Sequence, residues 1–598
     1  MMLSKLYSNS PRIFQPIQFQ EGLNVVLAEI RLPENRNKDT HNLGKTTTGR
    51  LLDFCFLSTR DANFFLFKHS DLFDPFVFFL EIRLGDSTFL TIRRSVAEAT
   101  KISFKRHPGQ NQDFSSLRNS EWDHFDMPFD RARDLLDGLL DWRALKPWKY
   151  RKVLGYLIRS QDDFREVFHL RKFTSKHVDW KPFLAHMLGF SGELVEQQYA
   201  KEEELSKTKA LADTIKHELG GSTDEIRKIE GILLLKKQES EKKQVLLNAF
   251  DFRAQDKAHT KQVVEETDAR IAELNGKRYS LTQNRKKILN SLEDDQILFN
   301  PEDAKILFNE TGILFDGQIK KDFEQLISFN KAITEERRAY LQEELVEIDA
   351  TLKAINTELN TLGKRRSEAL SYLSATDVFA KYRAISDEMV SLRADITSLE
   401  RQRDSLHRLQ ELRAAIRSLT EAKAQLQSKV EEDVNRQNAA GDSIFTRLRL
   451  HFSEIVEEVI DRKALLSVSL NNEGHLEFRA EILDGSGNST SADLGFTYRK
   501  LLCIAFDLAL LRAHSDQLFP RFVYHDGVFE SLDDRKKEKL LEVIRRYVDF
   551  GIQLVVTLID SDLPSRAEAE GPVFDPSEIV LTLHDESNDG RLFKMPSW

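Results

Sequence analysis

The sequence predicts an α/β globular head whose two lobes come from the two ends of the chain, with a long antiparallel α-helical coiled coil inserted between them. Three observations support this prediction. An apolar strand followed by residues typical of a phosphate site lies near the start, and an apolar strand that ends in aspartate lies near the other end. Between them, residues 191–440 are dominated by apolar heptads.

The first half of the predicted site is the sequence His-Asn-Leu-Gly-Lys-Thr-Thr-Thr at residues 41–48. It follows an apolar strand at 23–27 and leads directly into an apolar helix. Strand, loop, Gly-Lys-Thr and helix is the local order of a P-loop, in which backbone N–H groups and a helix N-terminus cradle phosphates. Lys45 would then reach the β- and γ-phosphates of ATP, and the Thr46 hydroxyl would ligate Mg²⁺.

One position of this motif departs from the P-loop pattern. The residue five before Gly44 is Asp39 rather than glycine, and a Gly-Lys-Thr triplet also occurs at ordinary solvated helix starts. The surroundings of the motif favour the nucleotide site. The predicted nucleotide contacts in this loop are Asn42, Gly44, Lys45, Thr46 and Thr47.

The second half of the predicted site is the apolar strand at 520–526, which ends in Asp526. A Leu-Asp pair at 532–533, a helix at 535–547 and a second apolar strand at 552–557 follow it. In nucleotide sites a carboxylate at the end of such a strand holds Mg²⁺ through water. Because the two half-sites lie far apart in the sequence, only the fold can bring them together.

The heptads form two arms on either side of a break at residues 294–328, which contains proline and glycine. The clearest run of apolar heptad positions is Leu341, Leu345, Ile348, Leu352, Ile355, Leu359 and Leu362. One long rod is the alternative, but two arms of similar length around a break favour an antiparallel hairpin. The predicted boundaries are 1–190 for the N-terminal lobe, 191–293 for the ascending arm, 294–328 for the apex, 329–440 for the descending arm and 441–598 for the C-terminal lobe.

This order of motifs resembles the SMC, RecF and RecN group of ABC-type ATPases, in which a P-loop ATPase head is split by a coiled coil. The resemblance extends to a predicted β-hairpin at 77–94 and to a helix followed by glutamine at 150–164. It implies an ABC-type head that binds ATP with Mg²⁺. It also implies that Arg94 lies beside the nucleotide and that Gln161 touches Mg²⁺ or the attacking water.

The signature motif of such heads, Ser-Gly-Gly followed by an acidic or amide residue, is poorly represented. The candidate is the serine- and glycine-rich stretch 485–499, which precedes an apolar helix. Ser491 and Gly495 would bind the γ-phosphate of a nucleotide held by a second head. An ordinary flexible loop with a helix cap is an equally weighted alternative.

Two further departures concern hydrolysis. Where the resembling family carries a catalytic glutamate after the Mg²⁺ aspartate, this chain has Gly527, and where the family carries a switch histidine, it has Thr557 and the residues after it. His525 and Glu530 flank the strand end and are the candidate substitutes. Nucleotide binding is therefore better supported by the sequence than fast hydrolysis.

The combination of residues 41–47, the His-Asp-Gly strand end at 525–527 and the arm start at 328–341 is similar to a poorly characterised bacterial subfamily. Members of that subfamily are commonly encoded as the ATPase component of multi-gene ABC systems linked to mobile elements and phage defence. The resemblance implies a homodimer through the heads, DNA as a partner, and effector or nuclease partners from the same operon. No nuclease motif is visible in this chain.

Composition narrows the functional classes. The chain has 598 residues with a formal net charge of −10, which argues against nonspecific coating of DNA by the whole molecule. Cys55 and Cys503 lie in apolar helix contexts, where a buried thiol is favoured over a metal or redox role. The first residues are too polar for a signal peptide and no apolar run approaches a membrane span, so we expect a cytoplasmic protein without a membrane segment.

The charge is unevenly distributed along the chain. Residues 143–181 contain eleven Lys and Arg against four Asp and Glu, interleaved with tryptophan and tyrosine. Such a segment would grip nucleic-acid phosphates, or it would form a solvated face together with nucleotide-facing arginine, and both interpretations carry equal weight.

Three functions from different classes remain. The first is an ATP-driven, DNA-associated machine whose heads dimerise around two nucleotides and signal to a partner. The second is a nucleotide-gated scaffold or sensor that binds ATP and scarcely hydrolyses it. The third is a purely structural coiled-coil protein in which the Gly-Lys-Thr triplet and Asp526 are accidental.

Overall fold

The structure is a computed structural model, and it divides into two compact units. The head consists of Met1–Glu204 with Leu419–Trp598, and the coil unit consists of Leu205–Ser418. The described residues are 1–35, 43–170, 176–219, 226–249, 257–293, 317–371, 377–490, 495–565, 571–596 and 598. Asn42, Ser491 and most of the predicted apex (294–316) lie outside them.

The strands form three sheets in the described part of the chain. A six-stranded antiparallel sheet has the order β2-β1-β4-β5-β6-β7, a five-stranded parallel sheet has the order β13-β3-β12-β11-β8, and β9 pairs with β10. The strands are β1 (Met2–Ser8), β2 (Ile17–Gln18), β3 (Leu23–Glu29), β4 (Val77–Arg83), β5 (Phe89–Ser95), β6 (Lys101–His107), β7 (His124–Pro128), β8 (Ile158–Arg159), β9 (Ala464–Leu470), β10 (Leu476–Ile482), β11 (Phe522–His525), β12 (Gln553–Ile559) and β13 (Ile579–His584).

The parallel sheet joins the two ends of the chain. β3 from the N-terminal part lies between β12 and β13 from the C-terminal part, and β12 in turn pairs with β11. Every residue of β11 and nearly every residue of β3 and β12 is buried, as expected for strands covered on both faces by helices. The predicted meeting of the two half-sites therefore takes place in one sheet, with β3 and β11 separated only by β12.

The predicted β-hairpin is confirmed as β4 and β5. Val77 pairs with Ser95 and Arg83 pairs with Phe89, which leaves Gly85 and Asp86 in the turn. Alternate residues of these strands are apolar and buried, so the antiparallel sheet packs one face into the same large core as the parallel sheet.

In the described ranges, five long helices lie partly or wholly among the residues of the coil unit, and the shorter helices belong to the head. The helices are α1 (Lys45–Cys55), α2 (Phe65–Lys68), α3 (Ser70–Phe73), α4 (Phe129–Leu140), α5 (Arg151–Leu157), α6 (Lys181–Met187), α7 (Gly192–Leu219), α8 (Ile226–Ala249), α9 (Lys257–Glu293), α10 (Gly317–Ser371), α11 (Asp377–Ala439), α12 (Ile444–Ile460), α13 (Phe496–Ala513) and α14 (Asp534–Asp549). None of the helices in the described ranges is both long enough and apolar enough to cross a membrane.

The arms of the coil unit run antiparallel, as the sequence predicts. Interhelical ion pairs join Lys236 to Asp395, Arg270 to Glu358 and Arg285 to Asp349, so residue numbers fall on one arm as they rise on the other. The heptad positions Ile348 and Ile355 are buried in this contact.

The boundaries of the units differ from the predicted ones. The division lies after Glu204 and before Leu419, because the first turns of α7 and the last turns of α11 pack on the head. α10 begins at Gly317, so residues 317–328 are helical where the sequence predicted part of the apex.

Candidate functional site

The turn that opens α1 requires a glycine at position 44. Gly44 has φ of +105°, a left-handed conformation that favours glycine. A Cβ atom at Gly44 would lie 2.6 Å from Leu592 Cβ, so a side chain is excluded there for packing reasons as well. α1 begins at Lys45 without a side-chain cap, which leaves the backbone N–H groups of its first turn directed at the space in front of the helix.

The end of β11 is tied to the first turn of α1. The Tyr524 hydroxyl donates to the Lys45 carbonyl oxygen at 2.9 Å, and Gly49 lies so close to the Tyr524 ring that an added Cβ would meet it at 2.5 Å. Alternate residues of a strand share a face, so Asp526 leaves the strand on the same side as Tyr524 and α1. The predicted lysine and the predicted aspartate are thus brought to one place.

Asp526 is fully buried and only half of its carboxylate is satisfied. Its Oδ1 accepts a hydrogen bond from the Thr557 hydroxyl at 2.6 Å, and the same hydroxyl accepts one from the Gly527 N–H at 2.9 Å. Asp526 Oδ2 is buried without a hydrogen-bond partner among the described residues. A buried carboxylate oxygen left in this way is a position for a cation or its bound water.

Glu530 occupies the space that a side chain at position 527 would take. Gly527 has φ of +66°, and a Cβ built on it would lie 2.5 Å from Glu530 Oε1 and 2.6 Å from Glu530 Cδ. The chain turns back after Asp526, and the Glu530 N–H donates to the Gly527 carbonyl at 3.2 Å. The Glu530 carboxylate therefore lies directly beside the Cα of Gly527, where the first atom of any side chain at position 527 would stand.

Three polar side chains hold the Glu530 carboxylate. Gln161 Nε2 donates to Oε1 at 2.6 Å, Lys45 Nζ lies 3.9 Å from Oε1, and Lys500 Nζ lies 3.8 Å from Oε2. Lys500, the fifth residue of α13, also donates to the carbonyl oxygens of Gly527 and Glu530. Gln161 therefore lies beside Glu530 and Lys45, and its contact with Mg²⁺ or the attacking water stays a prediction.

The electrostatics of this cluster follow from its burial. Burial lowers the pKa of Lys45, and the carboxylates of Glu530, Asp526, Asp562 and Asp560 oppose that effect. Burial also raises the pKa of Glu530, opposed by the ammonium groups of Lys500 and Lys45. Each group is therefore less firmly charged than in water, and added phosphate charge would shift this balance.

Arg94 lies away from Lys45 and Asp526, whereas the resemblance implies a position beside the nucleotide. Its guanidinium is buried, donates to the carbonyl oxygens of Phe54 at 2.6 Å and Ala99 at 2.9 Å, and lies over the Phe54 ring. Phe54 is in the last turn of α1, about 13 Å along the helix from Lys45. Arg94 therefore caps the far end of α1, and burial lowers its pKa to about 10.

His525 is also placed away from the site. It precedes Asp526 on a strand and so faces the opposite side of the sheet, where Nε2 lies 3.0 Å from Asp507 Oδ2. Asp507 pairs there with Arg159 at 2.7 Å, and His525, Asp507 and Arg159 are all buried. A buried side chain on the far face of the sheet has no path to a phosphate, so Glu530 alone remains of the two candidate bases.

The signature-like segment is described only in part. Gly495 lies at the start of α13 in an extended conformation, and the exposed Phe496 follows it. Thr497 Oγ1 donates to the Ser531 carbonyl oxygen at 3.3 Å, which places the start of α13 beside the turn that carries Glu530.

Three residues of the site were not found from the sequence. Lys500, Thr557 and Asp562 all surround Asp526 and Glu530, and Asp562 Oδ2 is buried without a partner in the described residues. Thr557 lies within β12, two residues before its end, at the position where the resemblance implies a switch histidine, so its place in the sequence is a usable signal. The sequence contains no comparable signal for Lys500, because only the packing of α13 brings this residue to Gly527.

In the described residues of the basic segment, 143–170 and 176–181, most basic side chains are held in contacts within the protein. Arg151 pairs with Asp53 and Arg159 with Asp507, and Lys181 donates to the Leu476 carbonyl oxygen. Other basic residues of the segment form ion pairs with nearby aspartates: Arg143–Asp141, Lys146–Asp137, Lys149–Asp134 and Arg165–Asp162. Among the described residues of the segment, Trp148, Tyr150, Tyr156 and Trp180 are core residues or pack on the core. The described residues thus favour the solvated face of the second interpretation, and its nucleotide-facing arginine stays a prediction.

Comparisons with known proteins give a family match over part of the chain and several similar structures. The family model described as "Uncharacterised protein conserved in bacteria (DUF2326)" matches residues 455–597. A search of curated proteins found no match.

Two of the similar solved structures are Smc heads from archaea. The Smc head domain with a coiled coil and joint from Pyrococcus yayanosii is 13% identical, with 93% of this chain and 92% of that chain covered and a TM-score of 0.34. The Smc head domain with an extended coiled coil bound to the C-terminal domain of ScpA, from Pyrococcus furiosus, is 11% identical, with 94% and 90% covered and a TM-score of 0.36.

Proposed function

We propose that this protein binds and slowly hydrolyses ATP in its head, with Glu530 as the base that the sequence lacks at position 527. The single observation that carries the proposal is the position of the Glu530 carboxylate. It fills the space above Gly527 and lies within 4 Å of the P-loop lysine Lys45. Lys45, Lys500 and Gln161 surround this carboxylate, which is not expected for a carboxylate on the protein surface.

The residues present fit a nucleotide and Mg²⁺. The left-handed Gly44 and the uncapped start of α1 suit phosphates, and the unpartnered Oδ2 of Asp526 suits a cation. Thr46, Asp526 and Gln161 would hold the Mg²⁺. When bound, that ion would neutralise charge on the phosphate oxygens.

Side chains and backbone groups of the protein would bind the phosphates and assist the attack of water. Lys45 and the N–H groups of the first α1 turn would bind the phosphates and fix their orientation. Glu530 would accept a proton from the attacking water, and burial favours this by raising its pKa toward neutrality. Lys500 and Gln161 would keep the carboxylate over Gly527.

Binding and hydrolysis are tested by two separate variants of the full chain. Lys45→Ala should abolish ATP binding in calorimetry, while Lys149→Ala, an exposed lysine that pairs with Asp134, should bind as the wild type does. Unchanged ATP affinity in folded Lys45→Ala protein would refute the P-loop assignment.

Glu530→Gln should bind ATP normally and lose hydrolysis by about 10²- to 10⁴-fold in single-turnover experiments, the usual contribution of a general base. Glu542→Gln, an exposed glutamate on α14, is the matched control. Wild-type rates in the Glu530→Gln variant would show that Glu530 is a surface residue of the turn.

A nucleotide-gated scaffold or sensor is the second candidate. Thr557 favours it, because its hydroxyl is bound between Asp526 and Gly527 and offers no mobile proton carrier where a histidine would stand. If the wild-type protein binds ATP but releases no phosphate, with or without DNA, the protein is a nucleotide-gated scaffold or sensor.

Dimerisation, DNA and defence are proposals that rest on the resemblance. Two heads would engage around ATP, with Ser491 and Gly495 of each presented to the nucleotide of the other, and the coils would pass this state to DNA or effector proteins in a bacterial defence system. Light scattering of Glu530→Gln protein with ATP and Mg²⁺ tests the first step: a mass that stays at one chain would contradict it. Because the segment 143–181 is internally paired, DNA binding would need another surface.

A further inference from the structure

A cavity adjoins the start of α1 at Gly44 and Thr47. Its volume is about 160 Å³. Its lining includes Gly44, Thr47, Arg50, Phe65, Arg591 and Trp598.

The segment 591–596 forms a fixed wall of this cavity. The Leu592 N–H donates to the Leu43 carbonyl oxygen at 3.0 Å, and its own carbonyl oxygen accepts from the Gln15 N–H at 3.1 Å. Leu592 Cβ is the atom that excludes a side chain at Gly44. The far end of the sequence is therefore part of the P-loop's surroundings.

The geometry of α1 gives the direction in which a bound nucleotide leaves the phosphate site. Successive helix residues are about 100° apart around the axis, so Thr46 and Thr47 open to different sides. Thr46 lines a cavity with Tyr524 and Ile158, on the side of β11 and Asp526. The terminal phosphate belongs there with Lys45 and Glu530, so the rest of the molecule must pass on the side of Thr47, into the cavity with Trp598.

This cavity has the chemistry of a nucleobase site. Trp598 packs on Phe73 with ring centroids 4.9 Å apart and on Phe65 at 6.0 Å, yet 40% of it stays exposed. Arg591 Nε is buried without a hydrogen-bond partner in the described part of the chain. An anchored aromatic ring with an open face stacks on a base, and an unpaired guanidinium N–H donates to base or ribose oxygen and nitrogen atoms.

We propose that Trp598 and Arg591 bind the nucleobase and ribose of the nucleotide whose phosphates the P-loop holds; this rests on the proposed function. The segment that carries them is thus a specificity element, which distinguishes a nucleoside triphosphate from inorganic polyphosphate.

The test compares ATP with inorganic tripolyphosphate, both with Mg²⁺, by calorimetry on the full chain. Trp598→Ala should weaken ATP binding about tenfold, the low end of base stacking, and leave tripolyphosphate binding unchanged. Trp598→Phe should keep the ATP affinity and lose the ATP-dependent change in tryptophan fluorescence. Phe550→Ala, which removes an equally exposed aromatic ring elsewhere on the head, should change neither affinity.

The outcomes separate this inference from the proposed function. Wild-type ATP affinity in Trp598→Ala overturns the inference alone. An equal loss for ATP and tripolyphosphate also overturns it, since Trp598 would then only support the P-loop. Wild-type protein that binds neither compound refutes the proposed function and the inference with it.

Discussion

Gly527→Ala isolates the role of the Glu530 carboxylate without changing any charged residue. The added Cβ would lie 2.5 Å from Glu530 Oε1 and 2.6 Å from Cδ, whereas carbon and oxygen atoms in contact need about 3.5 Å. The carboxylate must therefore move by about 1 Å or more, which changes its distances to Gln161 and Lys45. A displacement of this size at a reacting group costs about 10²-fold in rate.

The substitution also carries a backbone cost that needs its own control. Gly527 has φ of +66°, and an alanine in the left-handed region costs about 1–2 kcal/mol. Gly551 has φ of +75° and nothing within 4 Å of an added Cβ, so Gly551→Ala suffers the same strain without the collision. Both variants should lose similar stability in urea unfolding, but only Gly527→Ala should lose hydrolysis.

The assay is single-turnover hydrolysis with enzyme in excess over ATP, together with ATP binding by calorimetry. We expect Gly527→Ala to keep its ATP affinity and to hydrolyse about 10²-fold more slowly. Adding Glu530→Gln to the Gly527→Ala variant should slow hydrolysis little further, because both substitutions remove the action of the same carboxylate. A wild-type rate in Gly527→Ala, or a full further loss in the double variant, would refute the view that Glu530 acts from above Gly527.

The other predictions concern neighbouring parts of the head. Lys500→Met should reduce the hydrolysis rate about tenfold with little effect on ATP affinity, since it removes a charge-assisted contact to Glu530; an unchanged rate constant would exclude a positioning role. Asp507→Ala should cost about 3–5 kcal/mol in urea unfolding, because it leaves Arg159 charged and buried, whereas the exposed Asp549→Ala should be near neutral. Burial raises the pKa of Cys55 and Cys503 to about 12, so both stay protonated at pH 8 and iodoacetamide should label them only after denaturation; labelling of folded protein would contradict their burial.

The parts of the fold and of the candidate site that could be predicted are those that depend on local sequence patterns. Such patterns are either a few neighbouring residues or a regular spacing of apolar residues. They predicted the Gly-Lys-Thr turn, Asp526 at a strand end, the β4–β5 hairpin and the antiparallel heptads. Arg94 could not be placed in this way. The hairpin fixes its strand, but only the packing of α1 against β5 decides that its guanidinium meets Phe54 rather than a phosphate.

The choice of His525 as a candidate base could have been avoided, because the sequence itself contains the information that excludes it. Two adjacent strand residues face opposite sides of a sheet, so once Asp526 is assigned to the site its neighbour is excluded. Glu530 is not bound by that rule, since the left-handed Gly527 ends the strand and turns the chain back over itself. Gly527 is thus the residue that makes room for the proposed base: any side chain at position 527 would occupy the place where the Glu530 carboxylate lies.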